Sequence, residues 1–151
     1  MINVLFLCTG NSSRSQIAEG IINHHFKGSI QAKSAGVSST KLSQFAVKVM
    51  REIGIDISHH TTNTPEDFKD EQFDYIITLC DSAREACPVF WTKGEAMHLH
   101  FGFENPENFH GTDEEKLKLY RDLRDKIEAK LLKFFDRELK NKKEQLKRLK
   151  M

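Results

Sequence analysis

The amino-acid sequence predicts an α/β protein: a four-stranded parallel sheet with helices on both faces, a three-layer sandwich. Two observations carry this. Apolar runs of strand length alternate along the chain with segments whose apolar residues recur at helical spacing. The clearest runs, INVLFLC (2–8) and FDYIITL (73–79), are continuous rather than alternating, as in strands buried on both faces of a parallel sheet. No internal repeat or low-complexity linker divides the 151 residues, so they read as one domain.

INVLFLC opens the chain as a buried strand. From Ser15 to about Phe26 a helix is expected, because Ile17, Ala18, Ile21, Ile22 and Phe26 share one face. Residues 30–35 form a second, less apolar strand ended by Gly36. Ser43 to Ile53 repeats the helical period through Phe45, Ala46, Val49 and Met50, and Gly54 is placed to stop it. Pro65 opens a short helix towards Phe68, FDYIITL is the third strand, and residues 96–101 are a weaker fourth. From Asp113 a last helix carries Leu117, Tyr120, Leu123, Ile127, Leu131 and Phe134, with acidic residues in its first turn. The domain is expected to span 1–135, with 136–151 a basic helical extension or tail. RELKNKKEQLKRLKM (137–151) holds seven Lys/Arg against two Glu and reads as a solvated face.

Composition narrows the functional classes. Apolar residues at 38% and charged residues at 30% are those of an ordinary globular chain, and a net charge of +1 provides no overall field for nucleic acid or membrane. No stretch approaches the roughly 20 apolar residues of a membrane span. Three cysteines with no secretory signal argue against a disulfide framework and for a reducing cytoplasm. A cytoplasmic monomer is expected.

One strand-to-helix turn concentrates the chemistry. CTGNSSRS (8–15) places a thiol, a glycine, hydroxyls and an arginine between the first strand and the first helix. Ligands of parallel sheets bind at the carboxyl ends of strands, where Cys8 lies. Gly10 permits a tight turn, and the N–H groups of Thr9, Gly10, Asn11, Ser12, Ser13 and Arg14 can form a cradle continuous with the helix N-terminus. Arg14 adds a planar double donor for a tetrahedral oxyanion. Cys8 in that positive setting is a candidate thiolate nucleophile, and Ser15 can donate to its sulfur.

The Cys-x5-Arg-Ser loop resembles that of the low-molecular-weight protein tyrosine phosphatase fold family. The likeness runs on through SAGV (34–37), GIDISHHT (54–61) and DYIITLC (74–80), over roughly residues 1–135. Within that family the wording of the loop and the further cysteines in LCDSAREACP are similar to the thioredoxin-coupled arsenate reductases. Cys80 ends the third strand at the same sheet edge as Cys8. If DSAREA were helical, the Cα atoms of Cys80 and Cys87 would stand about 10 Å apart, beyond the roughly 7 Å that a disulfide spans. A bridge between them would require the segment to unwind.

The resemblance implies a sequence of thiol exchanges. Cys8 attacks arsenate held by the loop and Arg14; Cys80 attacks the Cys8 sulfur, releasing arsenite and leaving a transient Cys8–Cys80 disulfide. Cys87 then frees Cys8 and leaves a redox-active Cys80–Cys87 bridge for thioredoxin to reduce. No redox cofactor is required. The resemblance also implies a potassium ion near Asn11, Glu19 and Ser34, weakened because Asn63 stands where a carboxylate is expected. One departure concerns proton transfer. The family carries an aspartate before a proline as general acid, whereas FGFENPENF has Asn105 before Pro106, and an amide cannot transfer the proton. Glu104 or Glu107 could substitute. His59 and His60 read as structural histidines, and Phe90 and Trp91 as anchors of the second cysteine segment or of a partner. Two other functions stay open: a low-molecular-weight phosphotyrosine phosphatase using Cys8 and Arg14 alone, and a non-catalytic anion-binding or redox-sensing module.

Overall fold

The computed structural model describes residues 1–38, 40–81 and 96–150. Four parallel strands, β1 (Ile2–Cys8), β2 (Ile30–Gly36), β3 (Tyr75–Thr78) and β4 (Met97–His100), lie in the order β2-β1-β3-β4. The α-helices are α1 (Arg14–His25), α2 (Gln44–Glu52) and α3 (Asp113–Leu149), with 3₁₀ turns at Pro65–Phe68 and Pro106–Asn108.

Most boundaries fall where the local signals put them. Ser43 caps α2 by accepting the Ala46 N–H, and Gly54, at φ 79°, takes the left-handed conformation beyond its end. Thr112 and Glu115 form a capping box at the start of α3. Two expectations change. β3 and β4 are each shorter than their apolar runs, because the ladder pairs only Tyr75–Thr78 with Met97–His100. Gly36 belongs to β2 rather than ending it, paired with Cys8 in the register. Residues 136–149 of the basic segment lie on the last helix: α3 runs unbroken to Leu149, since its Lys-, Glu- and Leu-rich sequence favours helix and contains neither Gly nor Pro. Phe135 is its last buried residue, although Glu138 still accepts a hydrogen bond from the Tyr75 hydroxyl.

Alternate residues of β1 feed two apolar clusters. Val4 and Phe6 pack with Ile17, Ile21, Met50, Ile127, Leu131 and Phe135, so α1, α2 and α3 share one face of the sheet. Leu5, Leu7, Ala35, Phe73 and Ile76 occupy the opposite face, where Phe68 and Ala96 pack on them. Strand order reverses between β1 and β3, which opens a crevice at their carboxyl ends. Cys8 and Cys80 both lie at that edge. Among the described residues no helix is long and apolar enough to cross a membrane.

Candidate active site

The loop from Cys8 to Ser13 is held by its carbonyl groups. The carbonyl oxygens of Cys8, Thr9, Gly10 and Ser12 accept N–H groups from Val37, Ser38, Thr40 and Ser43 respectively. That of Asn11 accepts Gln16 Nε2, and that of Ser13 accepts the Ile17 N–H. With the carbonyls bound outward, the N–H side of the turn is left to line the concave face, as an anion cradle requires. Asn11 makes the turn possible at φ 55°, a left-handed conformation that asparagine tolerates better than most side chains. The first turn of α1 contains no acidic residue, so its N-terminus remains positive towards the loop.

The backbone of Gly36 presses against this loop. A Cβ there would lie 2.6 Å from Asn11 N and 2.8 Å from both Gly10 C and Thr9 O. The loop can therefore sit on β2 only if residue 36 has no side chain.

At the centre, Cys8 is a free, buried thiol. The Asn11 N–H donates to its sulfur at 3.2 Å, and Ser15 Oγ lies 2.9 Å away. Asn11 Nδ2 donates to Ser15 Oγ at 2.8 Å and to Ser34 Oγ at 2.9 Å. The Ser15 hydrogen is thus left for Cys8, and the Ser34 hydrogen goes to Glu19 Oε1 at 2.8 Å. Asn11 thus donates both ways, towards Ser15 and the sulfur on one side and towards Ser34 and Glu19 on the other. The branch ending at Cys8 points its donors at the sulfur, as a thiolate nucleophile or leaving group needs. Arg14 is 2% exposed, and its Nη1 donates to the Phe103 carbonyl at 3.0 Å.

Asn11, Glu19 and Ser34 therefore do come together, as expected, with His60 and Gln16 beside them. Burial pushes the Glu19 carboxyl up from 4.5 to about 7, against the lowering effect of the Ser34 hydrogen bonds. Burial, then the neighbouring His59 charge, pushes His60 down from 6.5 to about 4. Although His60 Nδ1 lies 3.2 Å from Glu19 Oε2, the contact at neutral pH is a neutral imidazole beside a partly protonated acid rather than an ion pair.

The oxygens here fit a cation poorly. Asn11 Oδ1 accepts the Asn63 N–H, Ser34 Oγ is occupied on both sides, and Asn63 directs its amide nitrogen inward, towards the Ser34 carbonyl. Among the described residues no buried side-chain oxygen lacks a partner. A potassium ion would have to displace these bonds with a single carboxylate to attract it.

Two further groups support the loop, and neither is marked as doing so by sequence pattern. Tyr120, on the apolar face of α3, places its hydroxyl 3.0 Å from Ser13 Oγ and accepts from Ser43 Oγ. Gly36 carries no sequence signal beyond that of a strand end. Helical periodicity marks Tyr120 as buried but does not indicate where its hydroxyl points.

Of the remaining expected residues, Cys80 is fully buried just beyond β3. Cys87, Phe90 and Trp91 lie outside the described residues. Asn105 caps the 3₁₀ turn by accepting the Glu107 N–H at 3.1 Å. The Glu107 carboxylate in turn accepts a hydrogen bond from the Ser12 hydroxyl.

A thiol at the bottom of a backbone cradle, with a buried arginine on the same loop at a sheet's switch point, is the arrangement that suits an enzyme acting on oxyanions through cysteine. The chain belongs to the low molecular weight phosphotyrosine protein phosphatase family, whose sequence model matches residues 3–146. Among curated relatives, "Arsenate reductase" of Halalkalibacterium halodurans is 40% identical over 131 residues, 87% of this chain and 93% of that protein. That of Bacillus subtilis is 38% identical over the same shares. Among solved structures, "An arsenate reductase in reduced state" aligns at a TM-score of 0.73 and 29% identity, covering 91% of this chain and 98% of the other. The low molecular weight protein tyrosine phosphatase from T. tengcongensis aligns at 0.65 and 28%, covering 91% and 99%. The four-stranded parallel sheet is that of these proteins.

Proposed function

We propose that this protein reduces arsenate to arsenite through Cys8, Cys80 and Cys87, and that thioredoxin regenerates it. The observation that carries the reading is the register of β1 and β3. Leu7 pairs with Thr78, and the Leu79 N–H bonds the Leu7 carbonyl at 2.8 Å. Continued by one residue, that register sets Leu79 beside Cys8 and Cys80 one step further, on strands about 4.8 Å apart. A second cysteine therefore follows the neighbouring strand at the edge where Cys8 sits. The arsenate reductases among its relatives support the same reading.

The chemistry balances within the chain. The Cys8 thiolate displaces an oxygen from arsenate and forms an S–As bond. The Cys80 thiolate attacks the Cys8 sulfur, the S–As bond breaks with its electron pair on arsenic, and arsenite leaves with arsenic reduced by two electrons. Cys87 then attacks Cys80 and releases the Cys8 thiolate; a dithiol partner reduces the remaining bridge. Ser15 and the Asn11 N–H hold negative charge on the Cys8 sulfur each time it attacks or departs.

Hydrolysis of phosphotyrosine through a Cys8 phosphoenzyme is the second reading, supported by the family match. Asn105 weighs against it, because a phenolate leaving group depends on a proton donor more than water leaving arsenate does. The test is arsenate-dependent NADPH oxidation with thioredoxin and thioredoxin reductase. Wild-type protein is expected to turn over repeatedly, and Cys80→Ser and Cys87→Ser to stop. Normal turnover by both variants would exclude the relay.

A further inference from the structure

The loop after β4 is anchored on both sides of the site. Phe101 and Phe103 donate their N–H groups to the carbonyls of Thr78 and Leu79, and the Phe103 carbonyl accepts Arg14. Beyond this anchor the loop carries Glu104, Asn105 and Glu107, which face different ways. Glu104, Asn105, Pro106 and Asn108 line a cavity of about 300 Å³ shared with Leu119, Asp122 and Lys126 of α3. Glu107 is not among the residues lining that cavity; it accepts the Ser12 hydroxyl of the anion loop. Asn105 is what aims it, since Asn105 Oδ1 binds the Glu107 N–H at the start of the turn. The position before the proline thus serves as a cap, and the carboxyl of the loop enters the site two residues later.

We propose that Glu107 is the proton donor of this site. The inference rests on the reading of the Cys8–Arg14 loop as an arsenate site, though it applies equally to a phosphate ester. The Glu107 carboxylate is bonded to the anion loop through the Ser12 hydroxyl. As Cys8 forms the S–As bond, the As–OH bond breaks with its electron pair on oxygen. The Glu107 proton goes to that oxygen and water leaves. Glu107 is exposed, so solvent can return the proton.

The test compares phenyl phosphate with p-nitrophenyl phosphate, whose leaving group needs little protonation. Glu107→Gln keeps an oxygen for Ser12 but no acidic proton. It is expected to slow phenyl phosphate hydrolysis by about 10²–10⁴-fold and p-nitrophenyl phosphate by less than about tenfold. Inhibition by inorganic phosphate should stay near wild type. Asn105→Asp in that background, which preserves the cap, should restore part of the phenyl phosphate rate. The second arm is the single-turnover rate of arsenate-dependent thiol loss, which Glu107→Gln should also slow. Equal losses on both esters, an unchanged phenyl phosphate rate, or lost phosphate binding would overturn the proposal and leave Glu107 a structural tie. If wild-type protein hydrolyses neither ester, the thiol-loss arm decides, and an unchanged rate there overturns the proposal. Failure of the relay reading shows separately, as normal arsenate turnover in Cys80→Ser and Cys87→Ser.

Discussion

Replacing Gly36 with alanine would add one methyl group where the anion loop crosses β2. Its Cβ would stand 2.6–2.8 Å from three backbone atoms of Thr9, Gly10 and Asn11. Non-bonded contacts of this kind settle near 3.5–4.0 Å, so the loop must retreat by roughly 0.7–0.9 Å. None of the three is the flexible end of a side chain, and the same loop is tied by the Val37, Ser38 and Thr40 N–H groups to the segment that follows Gly36. Overpacking of this sort costs about 1–3 kcal/mol, which for a chain of this length lowers Tm by roughly 2–12 °C. The larger effect falls on activity. A displacement approaching 1 Å of groups that align a nucleophile costs on the order of 10²-fold. The assay is kcat/KM for arsenate beside Tm and inhibition by phosphate, with Gly54→Ala as the comparison. Gly54 has a positive φ of 79° but open space around its Cβ, so its variant should lose about 1–2 kcal/mol of stability while keeping the site. Near-normal kcat/KM and phosphate inhibition in Gly36→Ala, or equal losses in the two variants, would refute the argument that Gly36 shapes the cradle.

Cys8→Ser should abolish both arsenate reduction and ester hydrolysis in the coupled and colorimetric assays, since a serine hydroxyl does not ionise at neutral pH. Tyr120→Phe removes the hydroxyl shared by Ser13 and Ser43 and should lower stability by about 1–2 kcal/mol, read by denaturant melts, while weakening phosphate binding. Glu19 and His60 have opposite effects on stability against pH. The raised Glu19 pKa, from 4.5 to about 7, contributes stability that is full below 4.5 and lost as pH rises through 7. The lowered His60 pKa, from 6.5 to about 4, contributes stability that is full above 6.5 and lost as pH falls through 4. Each slope is about 1.4 kcal/mol per pH unit, and over the shared window they oppose. Glu19→Gln should therefore make stability rise more steeply from pH 4.5 to 6.5 than in wild type, and His60→Asn should make it fall, as measured by denaturant melts at each pH. Parallel curves for all three proteins would show that neither group is buried as described.

The features legible in the amino-acid sequence are local. INVLFLC is a strand because its apolar run is continuous, and the small and polar residues 9–13 must turn before the apolar period of α1 begins. The thiol, the cradle and Arg14 are therefore legible within eight consecutive residues. The caps at Ser43 and Thr112 are legible for the same reason: a side chain and the N–H groups it satisfies lie within three residues of each other. The features decided by the tertiary structure join parts of the chain far apart in sequence. The register that sets Cys80 at the Cys8 edge depends on β1 pairing with β3. The close approach of Gly36 exists because β2 lies beside the anion loop. Tyr120 supports Ser13 from α3, and Glu107 rather than Asn105 meets Ser12 because the turn after β4 aims one residue at the cavity and the other at the loop. Composition and periodicity give each of these residues a burial or a secondary structure. Which partner its polar atom meets depends on packing across the sheet, and that is set only when the whole chain has folded.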